Sequence, residues 1–151
     1  MKAISIRPEY AAMIYAGFKR VEVRSWKVDA PCDLLMCTSK RRFKYFPGGY
    51  AVAVIHVECV TKLTEAMLDD ACMDEMPEKS MYAWVLSACW GIEPFPVKGK
   101  LHIYDVEPPK GEVEFLPDGV QVTYDALKPL TPAMPSLEEC LEAPDWSPLF
   151  I

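Results

Sequence analysis

The first part of the chain constrains the fold most, because its hydrophobic period changes from that of a strand to that of a helix and back. Residues 3–6 alternate apolar and polar side chains, which predicts a short strand. Residues 8–16 follow helical spacing, with Pro8 suited to the first helical position and Gly17 suited to end the helix. Residues 21–26 alternate again, so a second strand is expected directly after the helix.

The pattern downstream predicts a mainly β domain of the α+β class with two short helices. Residues 64–72 read as the second helix, and residues 40–49 as a basic and aromatic loop. Further strands are expected at 33–38, 50–60, 81–86 and 97–106. These elements place one domain over residues 1–106.

The last third of the chain differs in composition, because eight of the fourteen prolines lie beyond Glu107. Residues 113–116 and 120–124 flank a Pro-Asp-Gly sequence, which predicts a hairpin. Ser136 and Glu139 have the spacing of a capping box at the start of a short helix. Residues 107–151 are therefore expected to form a Pro-rich extension that packs on the same domain.

Charge is distributed unevenly along the chain, whose net charge is −6. Residues 1–50 carry ten Lys or Arg against four acids, and residues 51–151 carry six against eighteen. Phosphate contacts dominate nucleic-acid binding, so the basic first third is compatible with an RNA partner although the whole chain is acidic.

The sequence has no targeting or membrane-spanning pattern, and Cys37, Cys59 and Cys89 lie in or beside apolar runs as small core residues would. A reducing, cytoplasmic location is expected. Two histidines and no C-x-x-C pair predict no metal site, and no phosphate-binding glycine loop or dinucleotide motif occurs, so no cofactor is expected.

Lys19, Glu22 and Arg24 form the leading candidate site, since residues two apart on a strand share a face and Lys19 approaches from the turn before it. Arg24 and Lys19 could hold a phosphate or carbonyl group, while Glu22 could accept a proton or an exocyclic amine. The alternative is a structural set of ion pairs at the mouth of the sheet.

Aromatic and basic residues supply further candidates for contacts with RNA. Trp26 and Trp84 could stack on a base, although core packing is the alternative for each of them. Arg41, Arg42 and Lys44 interleave with aromatic residues as in an RNA-contacting loop, and a solvated loop is the alternative.

Three blocks of sequence resemble the ASCH domain family. The opening signature of that family is G-x-K-x-x-E-x-R with a following Ser-Trp. It is similar to Ala16-Gly17-Phe18-Lys19-Arg20-Val21-Glu22-Val23-Arg24-Ser25-Trp26, which follows Ala3-Ile4-Ser5-Ile6-Arg7-Pro8 in this chain. Tyr82-Ala83-Trp84-Val85-Leu86 and Pro96-Val97-Lys98-Gly99-Lys100-Leu101 look like two later strands of that family. A departure occurs at Pro8-Glu9-Tyr10, where the family more often has Gln-Pro-Trp.

The resemblance implies a PUA-like β-barrel whose cleft binds RNA or a nucleoside. A small branch of the family hydrolyses N4-acetylcytidine with Lys, Thr and Glu side chains, and ribonuclease activity is reported for other members. The Lys of that branch falls on Lys19, but its Thr falls on Glu22, and a Thr hydroxyl and a carboxylate do different chemistry. The third residue has no secure equivalent among the acidic residues Asp69, Asp70, Asp74 and Glu75.

Three hypotheses follow from these observations. The first is a module that binds RNA or a modified nucleoside in a cleft at the barrel mouth. The second is an enzyme, an amidohydrolase on N4-acylated cytidine or a ribonuclease, with Lys19 and Glu22 as catalytic residues. The third is an accessory domain that binds a partner through its acidic tail. The expected ligand-binding residues are Arg7, Lys19, Glu22, Arg24, Ser25, Trp26, Arg41, Arg42, Lys44, Trp84 and Lys98.

Overall fold

A computed structural model of the chain describes residues 1–142, and the final nine residues, with Pro144 and Pro148, lie outside that range. The described part forms one six-stranded mixed sheet in the order β2-β5-β4-β3-β1-β6, accompanied by four helices. The strands are β1 (Lys2–Ile6), β2 (Val21–Arg24), β3 (Cys32–Thr38), β4 (Tyr50–Lys62), β5 (Tyr82–Pro96) and β6 (Tyr104–Asp105). The helices are α1 (Pro8–Tyr15), α2 (Leu68–Ala71), α3 (Val120–Leu127) and α4 (Leu137–Glu142). The expected α+β class is confirmed.

The strand–helix–strand opening forms as its period predicts. Pro8 begins α1, where its missing N–H costs no hydrogen bond. Gly17 has a φ of +87°, a conformation that only glycine adopts readily, and it turns the chain from α1 toward β2. The backbone N–H groups of Phe18 and Lys19 both donate to the carbonyl of Met13, which fixes the turn that carries Lys19.

The sheet combines one parallel pair with antiparallel neighbours. β1 pairs in parallel with β3, and the other neighbouring strands run antiparallel. The long β4–β5 ribbon contains several register shifts, which bend it. A core cluster below α1 includes Ile4, Met36, Ile55 and Trp84, all at most 1% exposed. Burial of this cluster fixes the orientation of β1, and Val21 of β2 is buried in a second cluster with Ala71 and Ala83.

The predicted strand over residues 97–106 is wrong, because only Tyr104–Asp105 is a strand there. β5 instead runs on through Gly91 to Pro96, well beyond residue 86, where the predicted strand ended. His102 adopts a positive φ of 57°, which no extended strand allows, so residues 97–103 form a loop.

The predicted hairpin in the last third is also wrong. Residues 120–127 form the helix α3, whose inward side chains Val120, Tyr124 and Leu127 are spaced as on one helix face. Phe115 forms a bridge with Ile92 of β5 instead of pairing with residues 120–124. The β-branched residues of this segment therefore lie in a helix, because packing on the core outweighs their strand propensity.

One half of the expected capping box before α4 forms, since the hydroxyl of Ser136 accepts the N–H of Glu139 at 3.2 Å. The Glu139 carboxylate accepts from that same hydroxyl at 3.0 Å and not from the backbone N–H of Ser136. Leu127, Met134 and Cys140 are buried in the same core cluster as the sheet. The described part of the C-terminal segment thus covers one face of the domain with apolar side chains.

All six cysteines are free. Cys37 is fully buried and Cys89 is partly buried, as expected of small apolar residues, whereas Cys59 is exposed, contrary to the expectation. Cys59 lies near the end of β4, where the strand extends beyond the core. No helix within residues 1–142 has the length and apolar character that a membrane crossing requires.

Candidate functional site

A cavity of about 940 Å³ opens where β1 leads into α1, beside β2 and the end of β3. Small-molecule sites usually occupy about 300–1,000 Å³, so the cavity is large enough for a nucleotide. Its wall carries one acidic residue and seven basic ones, namely Glu22 with Arg7, Lys19, Arg24, Lys40, Arg41, Lys98 and Lys100. The wall is strongly positive although the chain as a whole has a charge of −6.

Glu22 lies at the centre of a buried charge cluster in this wall. Its residue is 6% exposed, and it faces Trp84 across the β2–β5 pair. The Lys19 ammonium lies 3.6 Å from Oε1, and the Arg24 guanidinium donates from Nε and Nη2 to Oε2 at 3.2 and 2.9 Å. Both carboxylate oxygens of Glu22 are thus engaged by cations.

Arg24 bridges two strands that are distant in the sheet order. Its Nη2 also donates to the carbonyl of Ser5 on β1 at 3.1 Å. A flat sheet would separate β2 from β1 by four strand spacings, about 19 Å, so the sheet curls strongly at this end. With Nε and Nη2 used, Nη1 is the part of the guanidinium that has no acceptor among the described residues, and it can donate to a ligand.

Lys19 is held as firmly as Glu22. Its residue is 6% exposed, and its ammonium donates to the carbonyl of Ala71 at 2.8 Å at the end of α2. The ring of Tyr10 lies 5.7 Å away, within range of a cation–π contact. The cluster of Lys19, Glu22 and Arg24 carries a net charge of +1 and leaves little freedom to any of its side chains.

The cavity also contains a cysteine that sequence reasoning did not select. Cys72 ends α2 with a φ of 55°, and its Sγ lies 3.6 Å from the carbonyl of Phe18. Burial raises the pKa of the Cys72 thiol, an effect that nearby Lys19 partly offsets and Asp70 reinforces. The thiol form therefore predominates at neutral pH. Among residues 1–142 no cluster of three His, Cys, Asp or Glu side chains could hold a metal ion.

The structure brings together six of the predicted site residues and leaves five outside the cavity wall. Those in the wall are Arg7, Lys19, Glu22, Arg24, Arg41 and Lys98. Those outside it are Ser25, Trp26, Arg42, Lys44 and Trp84. Of the five, Ser25, Arg42 and Lys44 are exposed to solvent.

The two tryptophans have different surroundings. Trp84 is completely buried, and its indole N–H donates to the carbonyl of Trp26 at 3.1 Å, so it is a core residue with no face open to a base. Trp26 packs edge-to-face on Trp84 and on His102, both at 4.9 Å between ring centroids. The guanidinium of Arg24 lies 5.9 Å from the centroid of the Trp26 ring, so Trp26 packs against Arg24 from outside the cavity wall.

Tyr10 and Ser39 also line the cavity but were not predicted as site residues. Tyr10 lies in the first turn of α1, and the departure at Pro8-Glu9-Tyr10 was its only signal in the sequence. Ser39 carries no sequence signal, because its position in the wall depends on how β3 ends.

The comparisons with known proteins agree with this fold. The family model for the ASCH domain matches residues 4–96, more than half of the chain. The crystal structure of ASCH from Zymomonas mobilis is similar, with a TM-score of 0.56 and 16% identity over 70% of this chain and 86% of that one. A single-site variant of that protein gives a TM-score of 0.53 at 14% identity over 70% and 87% of the two chains. No curated protein matches the sequence. The chain therefore belongs to the ASCH domain family.

Proposed function

We propose that this protein binds RNA or a nucleoside-derived ligand in the cavity beside β2. The observation that carries the proposal is the basic wall, in which seven cations face one carboxylate on a chain of net charge −6. Proteins that bind RNA neutralise phosphates with Lys and Arg and read exposed bases in clefts. The family, within which RNA binding is the usual expectation, supports the same function.

The buried cluster gives the ligand a fixed donor. Glu22 holds Arg24 through two hydrogen bonds, so Glu22 acts as a positioning residue and Arg24 contacts the ligand. Nη1 of Arg24 would donate to a carbonyl of a base or to a phosphate oxygen. A pre-oriented donor loses little conformational entropy on binding, which makes each hydrogen bond more effective.

The hydrolase alternative receives less support from the geometry. A general base must be free to take a proton, whereas both oxygens of Glu22 are occupied by cations. Asp69, Asp70, Asp74 and Glu75, the candidates for a second acid, are exposed and lie outside the cavity wall. Hydrolysis of an N4-acylated cytidine or of RNA stays a second hypothesis, and a turnover assay with Lys19→Ala as control tests it.

The barrel form belongs to the proposal as well. The bridge from Arg24 to Ser5 supports a sheet curled into a PUA-like barrel with the cavity at its mouth. The division into residues 1–106 and an extension of 107–151 stays a prediction, as does a cytoplasmic location.

Fluorescence anisotropy with a short single-stranded RNA at several salt concentrations tests the proposed function. Arg24→Lys keeps the charge beside Glu22 but removes the guanidinium fork, and it should weaken binding about tenfold. Lys62→Ala, at an exposed site outside the cavity wall, is the control and should leave affinity within about twofold. No RNA binding by the wild-type protein would contradict RNA as the ligand, and unchanged binding in Arg24→Lys would contradict the role of Arg24 in the proposed site.

A further inference from the structure

Two basic segments that are distant in sequence are fixed side by side at one edge of the cavity. A Cβ at Gly48 would overlap the backbone carbonyl of Arg41, so residues 39–41 pack closely against this glycine. The carbonyl of Gly49 accepts the N–H of Val97 at 3.1 Å, directly before the second segment. We call the cations that these segments carry the basic rim, which consists of Lys40, Arg41, Lys98 and Lys100.

The basic rim has no ion-pair partner within the described residues. All four side chains are exposed, and none forms an ion pair or a side-chain hydrogen bond there. Glu22, the carboxylate of the cavity wall, is already engaged by Lys19 and Arg24. Asp105, whose pKa is lowered mainly by its hydrogen bond and ion pair with Lys2, interacts only weakly with Lys100. Four like charges thus line the cavity with no ion-pair partner among the described residues.

An unpaired hydroxyl lies beside these charges. Oγ of Ser39 is buried, and it is the one buried side-chain oxygen or nitrogen atom within residues 1–142 that has no hydrogen-bond partner. The Ser39 backbone is fixed, because its N–H donates to Ile6 at 2.8 Å and its carbonyl accepts the N–H of Arg41 at 2.8 Å. Buried polar groups without partners are unfavourable and rare. Ser39 lies in the cavity wall, so rotation about its χ1 would turn the hydroxyl from its buried position to donate to a ligand in the cavity.

We infer that the basic rim and the Ser39 hydroxyl form a phosphate subsite. The inference rests on the proposed function and narrows it: the ligand is a nucleotide or an RNA strand, and a neutral nucleoside lacks the group that this edge binds. Phosphate oxygens accept hydrogen bonds from hydroxyl, ammonium and guanidinium donors together, and they supply the missing negative charge. Arg24, deeper in the cavity, remains available for the base or sugar.

Calorimetric titration of the full chain with four probes tests the subsite: cytidine, cytidine 5′-monophosphate, inorganic pyrophosphate and a six-nucleotide single-stranded RNA. The monophosphate and the RNA should bind at least about tenfold more tightly than cytidine. Ser39→Ala should weaken both about tenfold and leave cytidine binding unchanged. Its melting temperature should stay the same or rise, because the variant removes an unsatisfied buried hydroxyl.

Charge-matched double variants separate a local subsite from a general effect of charge. Lys98→Ala combined with Lys100→Ala should weaken binding of the phosphorylated probes at least tenfold and reduce their salt dependence. Lys62→Ala combined with Lys110→Ala removes the same charge outside the cavity wall and should change affinity less than about twofold.

The outcomes distinguish the subsite from the proposed function. Equal affinity for cytidine and its monophosphate, with Ser39→Ala without effect, overturns the subsite and leaves ligand binding in the cavity intact. Pyrophosphate binding that depends on Ser39, with no binding of RNA or nucleoside, supports the subsite and overturns the proposed function. Failure of all four probes overturns both.

Discussion

Replacing Glu22 by Gln tests the structural account of the buried charge cluster. The variant keeps the size of the side chain and its oxygen acceptor, but it removes the negative charge between Lys19 and Arg24. Charge-assisted hydrogen bonds contribute about 1.5–3 kcal/mol, against about 1 kcal/mol for neutral ones. The two bonds from Arg24, at 3.2 and 2.9 Å, would therefore lose about 2 kcal/mol together.

The lost attraction between the Lys19 ammonium and the carboxylate lowers the free energy of unfolding further. Its ammonium is buried, 6% exposed, and would lose a carboxylate 3.6 Å away, which adds about 1 kcal/mol. The total of about 3 kcal/mol is at the lower end of what breaking a buried ion pair costs, about 3–5 kcal/mol. For a chain of this size it would lower the melting temperature by about 6–12 °C.

Urea unfolding followed by circular dichroism and by tryptophan fluorescence measures the change. Asp33→Asn is the control, because Asp33 pairs with His56 on the exposed surface and such pairs contribute about 0–1 kcal/mol. If the free energy of unfolding of Glu22→Gln lies within about 1 kcal/mol of the wild-type value, the cluster does not stabilise the fold as described. Weakened ligand binding is expected as well, because Arg24 would lose its orientation.

Three further predictions concern the core, the basic edge and the cavity thiol. Trp84→Ala should lower the free energy of unfolding by about 3–5 kcal/mol, whereas Trp90→Ala, at an exposed site, should change it by less than about 1 kcal/mol in the same urea experiment; similar losses in the two variants would contradict the burial described. Gly48→Ala would displace the backbone at Arg41, so it should lower the free energy of unfolding by about 1–3 kcal/mol, measured by thermal unfolding, and weaken binding of phosphorylated ligands. If stability and binding both stay unchanged, residues 39–41 do not pack closely on Gly48. Alkylation of Cys72, read by peptide mass spectrometry, should be slow at pH 7 and still accelerating above pH 9, because burial raises the pKa of this thiol; a rate that levels off by pH 8 would contradict that direction.

The sequence was sufficient where structure depends on neighbouring residues. The period changes around Pro8 and Gly17 predicted β1, α1 and β2, and the short turn between helix and strand predicted that Lys19 lies near Glu22 and Arg24. These contacts form within six residues of chain, so local geometry determines them.

Long-range packing explains what the sequence did not reveal. Lys98 and Arg41 share one edge of the cavity because both segments pack on Gly48 and Gly49, an arrangement without a local pattern. The face of Trp84 could not be assigned either, since Tyr-x-Trp spacing puts both aromatic residues on one face without saying which face is buried.

The segments that were assigned wrongly show a related limit. Val120, Tyr124 and Leu127 have helical spacing, but the β-branched residues between them favoured a strand in the interpretation. Residues 97–103 alternate between polar and apolar or small side chains, which predicted a strand, yet the positive φ of His102 prevents an extended strand there. In both segments tertiary packing outweighed the local propensity for a strand.

A titration of the ¹⁵N-labelled protein with a six-nucleotide single-stranded RNA, followed by amide chemical shifts, tests whether RNA binds in the cavity beside β2. Shifts should concentrate in the segments 19–24, 39–41 and 98–102, which carry residues of the cavity wall. Amides around Asp33 and His56, at the opposite end of β3, should not move. Saturable shifts confined to other surfaces, or no shifts at all, would contradict RNA binding in this cavity.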